Sequence, residues 1–188
     1  MSKTISFLLA LAGAFLSVPA AFAQDAAAGE KKAAMCIGCH GIKGYQSSYP
    51  QVHKVPMISG QGAKYIVAAL TAYKKGERRH PSMRGIAGSL TDKDMADLGA
   101  FYEQHGASMV KTVAETPAAA PAGPVAELLA RGACASCHGA NYSKPIDGAY
   151  PKLAGQHADY LFVALTAYAT EGKAQVGRAN PIMGAQVK

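Results

Sequence analysis

Apolar residues along this chain recur with the period of a helix, and the same helical pattern is written twice. Tyr65, Ile66, Ala69, Leu70 and Tyr73 fall on one face at 3.6 residues per turn, and Tyr160, Leu161, Ala164, Leu165 and Tyr168 repeat it. A third run opens at Thr91, a capping residue with Asp94 three positions on, and aims Met95, Leu98, Phe101 and Tyr102 at a core. No sustained alternation of apolar and polar positions predicts a strand, so the pattern predicts an all-α fold. A further apolar stretch, Ile5 to Val18, follows Lys3 and leads to Ala21-Phe22-Ala23, the order of a cleavable export signal over residues 1–23. It is shorter than the roughly 20 residues a spanning helix needs and is broken by Pro19, so cleavage before Gln24 and no later anchor are expected.

The duplication runs through three blocks in the same order. Cys36-Ile37-Gly38-Cys39-His40-Gly41 recurs as Cys134-Ala135-Ser136-Cys137-His138-Gly139, 98 residues on. Ala-Leu-Thr-Ala-Tyr ends both long helical runs at an offset of 95, and His80-Pro81-Ser82-Met83 matches Asn180-Pro181-Ile182-Met183 at an offset of 100. Between the halves, Thr116 to Pro124 is rich in proline and alanine and suits a semi-stiff linker. The expected organisation is domain 1 over 24–110, a linker over 111–126 and domain 2 over 127–188. Domains of roughly 80 residues rarely bury enough apolar surface to stand alone, so a staple is expected in each.

Charge narrows the range of partners. The full chain of 188 residues carries a formal +7; removing the leader with Lys3 leaves +6, of which +4 falls on residues 24–110 and +2 on 111–188. That excess suits an acidic protein partner, with Lys74, Lys75, Arg78 and Arg79 as its docking charges, and leaves room for peripheral association with an anionic membrane surface. Nucleic acid is not expected, because the basic residues are dispersed and no recognition motif accompanies them.

All four cysteines lie in the two Cys-x-x-Cys-His blocks, the spacing of covalent haem c attachment. On a short helical turn two thiols three residues apart reach one edge of a planar macrocycle, and the adjacent histidine turns its imidazole to the iron. A thioredoxin-like pair would accompany a βαβ pattern, and a zinc ribbon would set its pairs roughly 15–20 residues apart. Plain disulfides suit an exported protein, but neither they nor zinc require a histidine after each pair.

The second axial ligand is sought among the methionines, since sulfur opposite histidine raises the potential and closes the iron. Met83 and Met183, 43 and 45 residues after His40 and His138, are the methionines that superimpose in the repeat. Met35, Met57, Met95 and Met109 read as core filling, and His53, His80, His105 and His157 as surface or hydrogen-bonded residues. Pro56 and Pro151 occupy equivalent places after the motifs. Each either accepts the second N–H of the ligating imidazole or merely shapes the turn.

With both Cys-x-x-Cys-His-Gly motifs, the Tyr-Pro-Lys-Leu-Ala-Gly-Gln run at 150–156, the Ala-Leu-Thr-Ala-Tyr helices and Pro-x-Met in both halves, the chain resembles the cytochrome c4 family over nearly all of 24–188. The resemblance implies two tandem class I cytochrome c domains, and two covalent haem c groups at Cys36, Cys39, His40, Met83, Cys134, Cys137, His138 and Met183. It also implies haems close across a domain interface, and a periplasmic, non-enzymatic electron carrier between a cytochrome reductase as donor and a terminal oxidase as acceptor. Alternatives are an electron-transfer subunit of a dehydrogenase or oxidase complex, or a dihaem peroxidase-like enzyme whose iron can open. Domain 1 departs mildly in reading Val55-Pro56-Met57-Ile58-Ser59-Gly60-Gln61. Domain 2 departs more: nothing after Met183 matches the helix that follows Met83, so that domain is expected to be incomplete, a fragment with an exposed haem and a loosened Met183.

Overall fold

The computed structural model describes residues 24–107, 121–170 and 172–187. The expected export signal, most of the expected linker and Met109 lie outside them. Among the described residues the chain is helical, with four two-residue strands, and no helix is long and apolar enough to cross a membrane.

In domain 1, α1 (Ala26–Lys32) starts at Asp25, whose carboxylate accepts from the Ala27 and Ala28 amides. The first Cys-x-x-Cys-His block forms α2 (Ala34–His40), and a short hairpin follows, β1 (Gln46–Ser47) against β2 (His53–Lys54). The first Ala-Leu-Thr-Ala-Tyr run is α3 (Ala63–Lys75), stopped by Gly76 in the left-handed region at φ 78°. β3 (Arg78–Arg79) leads to α4 (Pro81–Gly88), which places Pro81 in its first turn. Thr91 and Asp94 make the expected reciprocal cap on α5 (Asp92–His105).

Helix α5 closes this domain against α1 and α3. Met95, Leu98 and Tyr102 pack with Ala33, Ile66, Leu70, Ala87 and Leu90, while Cys36, Met83 and Phe101 lean on that cluster from its edge. The α1–α5 crossing admits only glycine at position 29, because a Cβ there would stand 2.1 Å from the Asp97 carbonyl oxygen. The Asp97 carboxylate is buried beside it and receives Lys93 Nζ at 2.9 Å, Lys32 Nζ at 3.2 Å and the Asp25 amide at 3.1 Å. Met95 fills the core as expected, but Met35 and Met57 do not: they are 49% and 42% exposed, Met35 on α2 and Met57 in the loop whose backbone Gln156 of the second half bonds.

Domain 2 repeats the plan in α6 (Pro124–Arg131), α7 (Cys134–His138), α8 (Ala158–Ala169), β4 (Gly177–Arg178) and α9 (Pro181–Gln186). Pro124, the last residue of the proline-rich run, opens α6 because its fixed φ suits a first helical turn. No described helix lies on α8 as α5 lies on α3. Phe162, the counterpart of Val67, is 68% exposed, and Leu165, the counterpart of the buried Leu70, is 47% exposed.

The halves meet through a reciprocal set of contacts. Gln61 bonds both backbone groups of Lys152, accepting from its amide at 2.8 Å and donating to its carbonyl at 3.0 Å. Its repeat partner Gln156 does the same to Met57, at 3.0 and 2.9 Å. β3 pairs antiparallel with β4, setting Arg78 opposite Arg178. These short interdomain strands have no periodic signature, because two residues are too few to alternate.

Candidate haem sites

Each attachment motif lies on one short helix, so both thiols and the histidine project from consecutive turns, Cys36, Cys39 and His40 from α2 and Cys134, Cys137 and His138 from α7. No disulfide joins any two of the four cysteines. Among the described residues no three or more His, Cys, Asp and Glu side chains gather as a metal cluster, so the two Cys-x-x-Cys pairs do not converge.

The imidazoles are oriented alike. His40 Nδ1 lies 2.7 Å from the Pro56 carbonyl oxygen and His138 Nδ1 lies 3.0 Å from that of Pro151. A carbonyl only accepts, so Nδ1 carries the proton and Nε2 keeps its lone pair for a metal. Of the two readings left open for these prolines, the acceptor geometry is present in both domains. Burial pushes the His40 imidazole below its ordinary pKa, against the smaller opposing pull of the Pro56 carbonyl, which favours the neutral, ligating form. Burial also raises the Cys36 thiol, which lies beside the Tyr102 hydroxyl.

Met83 sits in the first turn of α4, half-buried against the same core cluster as Cys36. Met183 holds the equivalent place in α9, where its amide donates to the Asn180 side chain at 2.9 Å. His80 stands at the N-cap position of α4, its buried Nδ1 without a hydrogen-bond partner among the described residues, and the His53 ring packs 6.2 Å away.

One pair of residues escaped the sequence reading. Arg78, expected among solvent-facing docking charges, is 8% exposed, because its guanidinium lies over the Tyr65 and Tyr73 rings at 5.7 and 5.1 Å. Arg178 lies likewise over Tyr160 and Tyr168, at 5.6 and 5.3 Å. Their offset of 100 residues, shared with the Pro-x-Met block, was the available signal. Lys74 is also engaged, donating to the Leu90 carbonyl.

The cytochrome c family model matches residues 26–105 and 124–188, one domain in each half. Cytochrome c4 of Pseudomonas aeruginosa is 35% identical over 88% of this chain and 81% of its own. The chain belongs to the cytochrome c4 family. The solved cytochrome c4 of Acidithiobacillus ferrooxidans superimposes with a TM-score of 0.59 at 25% identity, covering 82% of this chain and 89% of that one. A protein of Stutzerimonas stutzeri described as a thiosulfate dehydrogenase electron acceptor is 32% identical over 74% of this chain and 66% of its own.

Two cytochrome c domains, each with its Cys-x-x-Cys-His motif, carry two covalent haem c groups, and cytochromes c4 are electron carriers with redox proteins as partners. The residues fit such a group. Both histidines are held by a backbone carbonyl with Nε2 left for a metal, and the two thiols of each motif lie three residues apart on the same helix. In domain 2 a separate open cavity of about 560 Å³ runs along Tyr168, Arg178, Asn180, Pro181 and Gly184, away from the Cys134–His138 motif.

Proposed function

We propose that this cytochrome c4 is a periplasmic shuttle for single electrons, in which Cys36 and Cys39 with His40 and Met83 hold one haem, and Cys134 and Cys137 with His138 and Met183 hold the other. The matched imidazole-to-proline hydrogen bonds carry the reading, since they fix the orientation of both rings and leave Nε2 as the nitrogen that would ligate iron. The bound haems supply a reversible one-electron couple. The protein holds the thioether links, aims each imidazole, offers a soft sulfur from α4 or α9, and keeps water from the buried flank of α3. With His40 and Met83 holding one iron and His138 and Met183 the other, neither haem would offer a site to a small substrate, and the chain would act as a carrier rather than an enzyme. Its donor is a cytochrome reductase and its acceptor a terminal oxidase. The likeness to a thiosulfate dehydrogenase electron acceptor favours a second reading, in which a dehydrogenase is the donor.

The test is a redox titration of the haem-loaded protein followed by visible spectroscopy, repeated on Met83→His and Met183→His. Wild type shows two one-electron waves and a methionine-to-iron absorption band; each variant loses about half of the band and one wave moves to lower potential. A band unchanged in either variant overturns that methionine's assignment. Rapid binding of carbon monoxide by the intact protein overturns the carrier reading in favour of a peroxidase-like enzyme.

A further inference from the structure

Helix α8 buries Ala164 and Ala167 but leaves Phe162, Leu165, Thr166 and Ala169 exposed. Spacings of three and four set these four on one stripe, and none is charged. Their counterparts in α3 are Val67, Leu70, Thr71 and Lys74, which α5 and the turn before it cover: Leu70 joins the core, Thr71 donates to the Met95 sulfur and Lys74 to the Leu90 carbonyl. Among the described residues α8 has no such cover. The single hydroxyl of the stripe is already satisfied, since Thr166 Oγ1 donates to the Phe162 and Val163 carbonyls of its own helix at 3.1 Å each. Such a stripe can leave water without stranding a polar group, and its apolar side chains gain by doing so.

The stripe also fits itself. Its side chains run from large to small along the helix, in the order Phe162, Leu165, Thr166, Ala169. Laid antiparallel on a copy of itself, with a two-fold axis between positions 165 and 166, it sets Phe162 against Ala169 of the copy and Leu165 against Thr166. Each bulky group then meets a small one, as interdigitating helices require. A parallel pairing would set Phe162 on Phe162 and leave a gap at Ala169. The ends match as well: Asp159, whose side chain stays 35% exposed while it bonds Lys54, comes beside the exposed Lys173 of the copy.

We propose that this chain pairs with a second copy of itself through the α8 stripe, antiparallel and in that register. One helix pair buries less than the roughly 1,000 Å² a stable interface needs, so the dimer is weak, with a Kd on the order of 10–100 µM. It parts at the lower concentrations of a chemical denaturation. The pairing joins the second domains and leaves domain 1, which carries the larger share of the positive charge, open to a redox partner.

The experiment is sedimentation velocity of the haem-loaded protein from about 1 to about 500 µM, a range that brackets the expected Kd. Wild type should pass from monomer to dimer across it. Leu165→Lys should weaken the dimer by at least about tenfold, because a charge at the centre of the pairing loses its water. Adding Thr166→Glu to Leu165→Lys should recover much of that loss, since the antiparallel register sets the introduced lysine of each copy against the introduced glutamate of the other. Three results overturn the proposal: a monomer at every concentration, a dimer that Leu165→Lys leaves as tight as wild type, or a double variant no tighter than the single one. Should a variant fail to fold, reduced wild type at the highest concentration, half of it isotope-labelled, serves in a filtered NMR spectrum. A contact there between the Phe162 ring and the Ala169 methyl must join two copies, because seven residues of one helix hold the two positions about 10 Å apart. Its absence overturns the proposal. Neither measurement depends on the axial ligands, so failure here leaves the electron-carrier reading standing.

Discussion

Replacing Gly29 by alanine tests the packing of domain 1 at its tightest point. Helices α1 and α5 approach so closely that a Cβ at position 29 would lie 2.1 Å from the Asp97 carbonyl oxygen, 2.6 Å from its carbonyl carbon and 2.8 Å from Phe101 Cβ. Two of these atoms are backbone, so relief requires one helix to slide and loosens the contacts of Leu98 and Tyr102 behind it. Overpacking of this kind costs about 1–3 kcal/mol, and for a domain of this size each kcal/mol moves the melting temperature by about 4–8 °C. A cost near 2 kcal/mol therefore predicts a domain 1 transition about 8–16 °C below wild type, followed by circular dichroism on haem-loaded protein. Gly88→Ala is the control: that helical glycine has no foreign heavy atom within 4 Å of its notional Cβ, so alanine should stabilise by up to about 1 kcal/mol. If Gly29→Ala melts at or above wild type, the proposed tightness of the α1–α5 crossing is refuted.

Truncating Leu98, 1% exposed, to alanine should cost about 2–5 kcal/mol, whereas Phe162→Ala, at a position 68% exposed, should cost far less; comparable costs in chemical denaturation would show that α8 is covered. Burial alone would raise the Asp97 carboxyl, but bonds from Lys93, the Asp25 amide and Lys32 outweigh it and hold the group below its ordinary value. A depressed carboxyl contributes stability that is present above its unfolded pKa of about 3.9 and lost as pH falls through the folded value. Domain 1 should thus weaken on acidification below about pH 4, and Asp97→Asn should shrink that acid-dependent loss in melts recorded across pH. Gln61→Ala should speed hydrogen exchange at the Lys152 amide and leave that of Met57 slow, while Gln156→Ala should do the reverse; equal effects at both amides would show that the seam opens as one unit.

The chain's order of residues was enough to specify the helical fold, its duplication, the two attachment motifs, the Thr91–Asp94 cap and the residues that α5 turns inward. Each of these is local: a period of 3.6, a spacing of three or a capping residue acts within a few positions of itself, and a repeat is visible as identity. Tertiary structure decided the rest. Arg78 and Arg79 are adjacent basic residues with the same look in the sequence, yet pairing with a strand 100 residues away buries Arg78 between tyrosines and sends Arg79 across the seam. Tyr65 and Ile66 belong to one apolar face on paper, but the tyrosine turns to the Arg78 guanidinium of the β3 strand while the isoleucine stays in the core. Met35 and Met57 have the composition of core residues and lie half in solvent. Burial and charge pairing are set by what arrives from the far half of the chain, and no local pattern encodes that arrival.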